Sequence, residues 1–152
     1  MGLKVCIFGC GVYVAGRYTD GVGTILPCIL ELYTQGAIDE IAIVVKSNSQ
    51  AKAVETINNF RSKYLLLTGV SNIPAISITN LEDILLNEYD AAIISTPDNT
   101  HFEILKCCAS AGLHALCVKP LCSSFQEVNE IADIYAKSGL IGLVEFHKRF
   151  DK

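Results

Sequence analysis

A short apolar run that ends in two glycines, near the start of the chain, constrains the fold more than any other feature. Val5 to Phe8 are four consecutive apolar residues, a pattern typical of a strand that is buried on both faces of a parallel sheet. Gly9 and Gly11 follow at once, and glycine permits a sharp turn in which the backbone can approach a phosphate closely. A strand, a Gly-x-Gly turn and a helix form the first half of a dinucleotide-binding fingerprint, although a plain buried turn is the alternative at this point.

The segment after the two glycines is harder to interpret. Regular spacing puts the bulky Val14 at the third small position of the fingerprint, whereas Ala15 and Gly16 fit only with a shift. We predict a loop insertion over residues 12–23, because its many glycines disfavour a helix, and then a helix over residues 25–35. Two interpretations of this loop stay open: Arg17 and a second Gly-x-Gly pair help to hold phosphates, or the segment is an ordinary surface loop.

The composition indicates one globular domain over residues 1–152 and argues against several other classes of protein. Apolar residues make up 51% of the chain and charged residues 18%, and the formal net charge of −4 does not suit a nucleic-acid-binding surface. The chain contains no apolar run of about 18 residues, so we expect no membrane span. The first predicted strand begins close to Met1, which leaves no room for a signal peptide. The seven cysteines lack metal-ligand spacing, so we expect reduced thiols in a cytoplasmic protein and no metal site.

The end of the second predicted strand bears on the choice of cofactor. This strand covers residues 41–45, and a dinucleotide-binding fold usually places an acidic residue after it to bind a ribose 2′-hydroxyl. Here the chain continues with Lys46 and Ser47 and has no acid nearby. A cation and a hydroxyl suit a 2′-phosphate, so we predict NADP or NAD as cofactor, with NADP slightly favoured. A solvated lysine at the start of a loop is the alternative.

The remaining pattern alternates strands and helices. Strands are predicted over residues 75–78, 91–94, 114–118 and 141–145. Helices are predicted over residues 50–63, 80–87, 100–111 and 123–137, with caps at Asn80, at Thr100 with Glu103, and at Ser123 with Gln126 or Ser124 with Glu127. This alternation predicts an α/β fold, a Rossmann-type doubly wound parallel sheet in a single domain. Residues that follow strand ends should meet at one edge of that sheet, namely Gly9, Lys46, Thr96, Lys119, His147 and Arg149.

The last third of the chain contains two linked motifs. The first is Thr96-Pro97-Asp98-Asn99-Thr100-His101, and the second leads from Ala109 through Gly112 and His114 to Lys119-Pro120. Both resemble motifs of the Gfo/Idh/MocA (glucose–fructose oxidoreductase / inositol dehydrogenase) family. The resemblance covers essentially the whole chain, and residues 146–152 are similar to the family's exit segment toward a second domain. Val118 departs from the family pattern, since a glutamate is expected there near the cofactor ribose.

The resemblance implies roles for several residues of the predicted site, including Thr96, Pro97 and His101 on the nicotinamide-ribose side and Arg149 near the carboxamide. Gly9 and Gly11 would meet the pyrophosphate, and Lys119 would stand beside the nicotinamide and act on the substrate as the catalytic residue. The full set of expected cofactor-binding residues is Gly9, Gly11, Val12, Arg17, Lys46, Ser47, Thr96, Pro97, Asp98, His101, Lys119, Pro120 and Arg149.

The resemblance also implies a function, which is hydride transfer between NAD(P) and a secondary alcohol of a sugar or cyclitol-like substrate. The sequence ends where the family begins its C-terminal substrate domain, so we expect this chain to lack that domain and to be inactive alone. Apolar surface left open near the sixth strand would then favour a homo-oligomer. The alternative function is a non-catalytic nucleotide-binding sensor or partner module.

Overall fold

Six parallel strands form one sheet within residues 2–17 and 21–146, the part of the chain that the computed structural model describes. The strands are β1 (Leu3–Phe8), β2 (Ile38–Val45), β3 (Ile76–Asn80), β4 (Ala91–Ile94), β5 (His114–Val118) and β6 (Gly142–Glu145). Their order across the sheet is β3-β2-β1-β4-β5-β6, and every neighbouring pair is parallel. The chain therefore builds the sheet outward from β1 in one direction and then returns to build it from β4 in the other.

Helices connect most of these strands. They are α1 (Val12–Ala15), α2 (Ile25–Thr34), α3 (Gln50–Thr68), α4 (His101–Ser110) and α5 (Phe125–Ser138). Short 3₁₀ turns cover Ser47–Ser49, Leu86–Glu88 and Asp98–Thr100. The segment predicted as a loop thus begins with one helical turn, α1, before the glycine-rich residues that precede α2.

The side chains of β1 alternate between two hydrophobic clusters. Val5 and Ile7 pack in a cluster that includes α1, α2 and α3, whereas Cys6 and Phe8 pack in a cluster that includes α4 and α5. All four side chains are buried, and burying a side chain of the size of Ile7 or Phe8 contributes about 1.5–3 kcal/mol to stability. Helices cover both faces of the central strands, so the predicted doubly wound parallel sheet is confirmed.

The helix predicted over residues 80–87 is wrong. Strand β3 continues through Asn80, which pairs with Val45, and the Leu81 N–H donates to the Val45 carbonyl at 2.9 Å. The Asn80 side-chain amide donates to the Asp83 carboxylate at 2.9 Å instead of capping a helix. The Asn80 carbonyl accepts from the Asp83 and Ile84 N–H groups, each at 3.2 Å, in one turn that does not continue, and the Asn80 Oδ1 that an N-cap would use accepts no hydrogen bond among the described residues.

Of the two helices with a predicted capping box, only α5 has one. Ser124 and Glu127 make a reciprocal capping box at the start of α5, which confirms the second of the two alternatives. The box predicted for Thr100 with Glu103 does not form. Thr100 Oγ1 lies 2.8 Å from Thr96 Oγ1 and 2.7 Å from the Pro97 carbonyl oxygen, so its hydroxyl is held in the preceding loop.

The last strand leaves apolar surface exposed. Ile141 and Leu143 are each 58% exposed, and Phe146 is 46% exposed, because β6 is an edge strand and the helices leave this part of the sheet open. Within residues 2–17 and 21–146, the structure has no helix that combines the length and the hydropathy needed to cross a membrane.

Candidate functional site

The carboxyl ends of β1, β2 and β4 surround a cavity of about 600 Å³, called here the first cavity. It lies where the strand order reverses, since β1 pairs with β2 on one side and with β4 on the other. Ligands of open α/β sheets bind in the crevice at this reversal point. Four residues of the predicted site line the first cavity, namely Gly9, Lys46, Thr96 and Pro97.

Gly9 makes the turn that opens this cavity. Its φ of +97° belongs to a region that residues with a side chain rarely adopt, and a Cβ atom here would overlap the Ser95 carbonyl oxygen. The Gly9 N–H donates to the Val44 carbonyl at 2.8 Å, and the Ser95 N–H donates to the Phe8 carbonyl at 2.9 Å. Gly9 is therefore fixed between the ends of two neighbouring strands, with no space for any other residue.

Gly11 has a different environment. Its φ of −84° and ψ of −172° are accessible to any residue, and a Cβ atom here would meet nothing within 4 Å. It faces a second cavity of about 410 Å³ between α1 and α3, together with Val12 and Arg17 of the predicted site. Among the described residues that line this second cavity, Arg17, Lys52 and Lys63 are basic and none is acidic.

Lys52 and Thr56 join the two cavities. Both residues lie on α3, one turn apart, and both line each cavity, as does Cys10 between the two glycines. The Lys52 ammonium makes no ion pair or hydrogen bond with the part of the chain that the structure describes, so it is available to an anionic ligand. Burial raises the pKa of the Cys10 thiol to about 11, so this thiol stays protonated and unreactive at neutral pH.

In the second Gly-x-Gly pair, Gly23 packs closely against the end of α1, whereas a Cβ atom on Gly21 would meet nothing within 4 Å. A Cβ atom on Gly23, whose φ is +73°, would come within 2.6 Å of the Gly16 nitrogen and 2.8 Å of the Ala15 nitrogen. Gly23 is therefore a glycine because its backbone packs directly against the backbone of Ala15 and Gly16. Val14, which regular spacing puts at the third small position, is fully buried in the core beneath α1.

The end of β2 combines a free lysine with an acidic neighbour. Lys46 is exposed and lines the first cavity, whereas Ser47 does not line it. The Ser47 hydroxyl donates to the Glu82 carboxylate at 3.0 Å, so the loop after β3 brings an acid to a position where the local sequence has none.

The loop after β4 gives the first cavity its opposite wall. Thr96, Pro97 and Thr100 line it, together with Glu103 on the first turn of α4. The Glu103 carboxylate makes no ion pair or hydrogen bond within residues 2–17 and 21–146. Asp98 is exposed and does not line either cavity.

The remaining predicted residues lie outside both cavities. His101 is fully buried beneath the loop after β4, with both ring nitrogens against backbone carbonyls. Lys119 and Pro120 follow β5, are joined by a cis peptide bond and are exposed. His147 and Arg149 lie outside the described residues. No group of three or more residues suited to hold a metal ion occurs within residues 2–17 and 21–146.

The sequence analysis missed Lys52, Thr56, Glu103 and Glu82. The helical periodicity of α3 could have identified Lys52 and Thr56, because its apolar residues Ala53, Ile57 and Phe60 show which face of the helix packs on the sheet. Lys52 and Thr56 each precede one of these residues and lie beside that face, near the carboxyl end of β2. No local pattern marks Glu82, which reaches Ser47 across two neighbouring strands.

The chain matches the sequence profile of the Gfo/Idh/MocA family, described as an oxidoreductase family with an NAD-binding Rossmann fold, over residues 3–146. It is 33% identical over 63 residues to myo-inositol 2-dehydrogenase of Thermotoga maritima, a match that covers 41% of this chain and 19% of that protein. It is 32% identical over 74 residues to an uncharacterized oxidoreductase of Schizosaccharomyces pombe. That match covers 48% of this chain and 20% of the yeast protein.

Solved structures show the same fold. A dehydrogenase from Clostridium difficile superimposes with a TM-score of 0.71 at 20% identity, over 99% of this chain and 41% of that one. The chain thus spans well under half of this structure, and its matches to the two curated proteins span 19% and 20% of their lengths. The profile match, the sheet order and the glycine turn agree, and the chain belongs to the Gfo/Idh/MocA oxidoreductase family as an NAD-binding Rossmann domain.

Proposed function

We propose that the first cavity, together with the adjoining second cavity that Gly11 and Val12 line, binds NAD or NADP as the cofactor half of an oxidoreductase that acts on a secondary alcohol of a sugar or cyclitol-like substrate. The observation that carries this proposal is the pair of glycines at the strand reversal point. Gly9 has no space for a side chain, while Gly11 leaves open space beside a backbone turn. Open space next to exposed backbone, with two free lysines nearby, fits a pyrophosphate group.

Each part of the dinucleotide has candidate partners. Gly9, Gly11 and Val12 would hold the pyrophosphate, and Thr96, Pro97 and the neighbouring Asp98 would face the nicotinamide ribose. Glu103 adds a carboxylate that can accept hydrogen bonds from ligand hydroxyls, which matters because Val118 replaces the glutamate expected near that ribose. The nicotinamide supplies the hydride exchange when it is bound, and the protein supplies position and charge.

The charges around the two cavities favour NADP. Lys46 and Lys52 are free, and Arg17 and Lys63 add positive charge to a second cavity whose described lining is free of acids. The 2′-phosphate would therefore lie toward Lys52, at the junction of the two cavities. Ser47 is a weaker candidate than its sequence position indicates, because its hydroxyl already donates to Glu82.

Lys119 is the proposed catalytic residue. Its ammonium makes no ion pair with any described residue, and it follows β5 at the ligand-binding edge of the sheet. A lysine ammonium can polarise a substrate oxygen or pass a proton to it. We propose that the substrate reaches Lys119 through a second domain outside these 152 residues, with residues 146–152 as the exit segment.

A second candidate function is a nucleotide-binding module without catalysis. Two observations favour it: Lys119 lines neither cavity, and Val118 offers no polar contact. In this alternative the chain binds the dinucleotide and transfers no hydride in any assembly.

Calorimetric titration and a turnover assay test the two candidates together. We expect saturable binding of NADP and NAD at one site, and no reduction of either cofactor when this chain alone meets a panel of sugars and inositols. If a longer natural form of the protein reduces the cofactor with one of these alcohols, the enzyme is supported over the module. Failure of both dinucleotides to bind would remove both candidates.

A further inference from the structure

His101 is the only polar or charged side chain that is fully buried among residues 2–17 and 21–146. Burying a polar group is costly unless hydrogen bonds replace those it made with water. A buried imidazole in an otherwise apolar core therefore requires an explanation from its contacts. Its two carbonyl contacts belong to the two loops at the ligand-binding edge, and a third contact is with Cys117 of β5.

The imidazole of His101 spans these loops. Nε2 lies 2.9 Å from the carbonyl oxygen of Thr96, in the loop after β4. Nδ1 lies 2.8 Å from the carbonyl oxygen of Pro120, in the loop after β5. Both oxygens are acceptors, so an imidazole with one ring proton donates to one of them and only contacts the other, and both contacts are hydrogen bonds when both nitrogens carry a proton. The Cys117 thiol lies 3.4 Å from Nδ1 and also reaches the Leu121 carbonyl at 3.8 Å, so the second loop is held from below at two consecutive carbonyls.

The pair of contacts from His101 to the Thr96 and Pro120 carbonyls is called here the link. The link starts from a residue whose backbone is held in a packed helix. It is the first residue of α4, which packs against α5 and against β4 and β5. The imidazole therefore cannot follow either loop without moving the helix. Thr96 and Pro97 line the first cavity on one side of the link, and Lys119 precedes Pro120 on the other.

We propose that His101 is a positioning residue that fixes the loop after β5, and with it Lys119, relative to the Thr96–Pro97 wall of the cofactor cavity. His101 acts through the two carbonyls and makes no ligand contact of its own. The link itself is a property of the fold, whereas its consequence for Lys119 rests on the proposed function.

Two substitutions separate the two halves of the link. An asparagine amide reaches the position of Nδ1, and a glutamine amide reaches that of Nε2. His101→Asn therefore places an N–H donor at the Pro120 carbonyl and leaves the Thr96 carbonyl without a side-chain contact, whereas His101→Gln does the reverse. Tyr135→Phe is the matched control, because it removes another buried hydrogen bond to a backbone carbonyl, at Leu105 on α4, away from both loops.

Hydrogen exchange of the chain without ligand gives the first readout. We expect His101→Asn to raise exchange in residues 95–100, and His101→Gln to raise it in residues 119–124. Each increase should be at least about tenfold, which corresponds to 1.4 kcal/mol of local opening free energy. Tyr135→Phe should leave both segments unchanged. Equal increases in both loops for both His101 variants, or no local increase, would overturn the proposal.

NADP affinity gives the second readout. His101→Asn should weaken NADP binding by roughly tenfold, because it frees the loop that lines the cavity, whereas His101→Gln should bind as the unmodified chain does. Should the unmodified chain bind no dinucleotide, the proposed function fails while the exchange pattern still decides the role of His101.

A measurement on the unmodified chain covers the case in which both variants unfold. In a long-range proton–nitrogen spectrum of the histidines, the His101 ring proton should be protected from exchange, unlike that of the exposed His114. Equal and rapid exchange of both ring protons would show that the link is absent.

Discussion

Replacing Gly9 or Gly11 with alanine should produce different defects, a loss of stability for Gly9→Ala and a loss of ligand binding for Gly11→Ala. The structure gives the two positions different reasons to be glycine. Gly9 has a φ of +97° and no space for a Cβ atom, whereas Gly11 has an ordinary backbone conformation and open space. Gly9→Ala therefore tests the fold, and Gly11→Ala tests the ligand site.

The magnitude for Gly9→Ala follows from two penalties. A residue with a side chain loses roughly 1–2 kcal/mol in the positive-φ region, and overpacking against the Ser95 carbonyl costs about 1–3 kcal/mol more. Gly9 cannot shift to relieve the overlap, because its N–H and the neighbouring Ser95 N–H are both bonded to adjacent strands. The total of roughly 2–5 kcal/mol corresponds to a fall in Tm of roughly 4–20 °C for a chain of this length.

Gly11→Ala should change stability by less than about 1 kcal/mol, the usual scale of a change at a helix N-cap. Its methyl group would occupy the space proposed for the pyrophosphate, so the Kd for NADP should rise at least roughly tenfold. Thermal unfolding followed by circular dichroism and calorimetric titration measure the two effects separately. Wild-type affinity in Gly11→Ala, or wild-type stability in Gly9→Ala, would refute this reasoning.

Three further predictions concern cofactor choice, catalysis and association. Lys46→Asp should make the chain prefer NAD, because a carboxylate repels a 2′-phosphate. Lys52→Gln should weaken NADP binding by roughly tenfold more than NAD binding. Equal losses of affinity for both cofactors in parallel titrations would contradict the assignment of the 2′-phosphate to these lysines. In a catalytically active longer form, Lys119→Met should lower the rate by about 10²–10³ while the dinucleotide Kd changes by less than roughly tenfold. Unchanged turnover would remove Lys119 from the mechanism. The exposed surface of β6 should cause self-association that Leu143→Ser reduces, and light scattering that shows a monomer for the unmodified chain at high concentration would argue against it.

The central part of the fold could be predicted because its signals are local. Four apolar residues followed by Gly9 indicate a buried strand and its turn without reference to any other segment. The reciprocal cap of Ser124 and Glu127 forms for the same reason, since both partners lie within one turn of α5.

The errors arose where other groups compete with the predicted cap, a preceding loop in one case and a neighbouring strand in the other. Thr100 satisfies the local pattern for a capping box, yet its hydroxyl is held by Thr96 and Pro97 of the preceding loop. Asn80 satisfies the pattern for an N-cap, yet it extends β3 because Val45 lies beside it in the sheet. Local sequence patterns do not indicate which residue of a neighbouring strand will lie beside a given position.

The candidate site could be predicted in outline but not in its details. The strand ends gave Gly9, Lys46 and Thr96, because parallel strands bring their carboxyl ends together. The buried position of His101 and the contact between Ser47 and Glu82 depend on the packing of loops from different strands. Residues of that kind become apparent only in three dimensions.

The most direct test of the proposed cofactor site is an amide NMR titration of the isotope-labelled chain with NADP. We expect saturable shift changes that concentrate after the carboxyl ends of β1, β2 and β4, at Gly9, Gly11, Lys46 and Thr96. Amides along α5 and at the amino ends of the strands should stay unchanged. An absence of saturable changes, or changes centred on the amino ends of the strands, would contradict the proposed site.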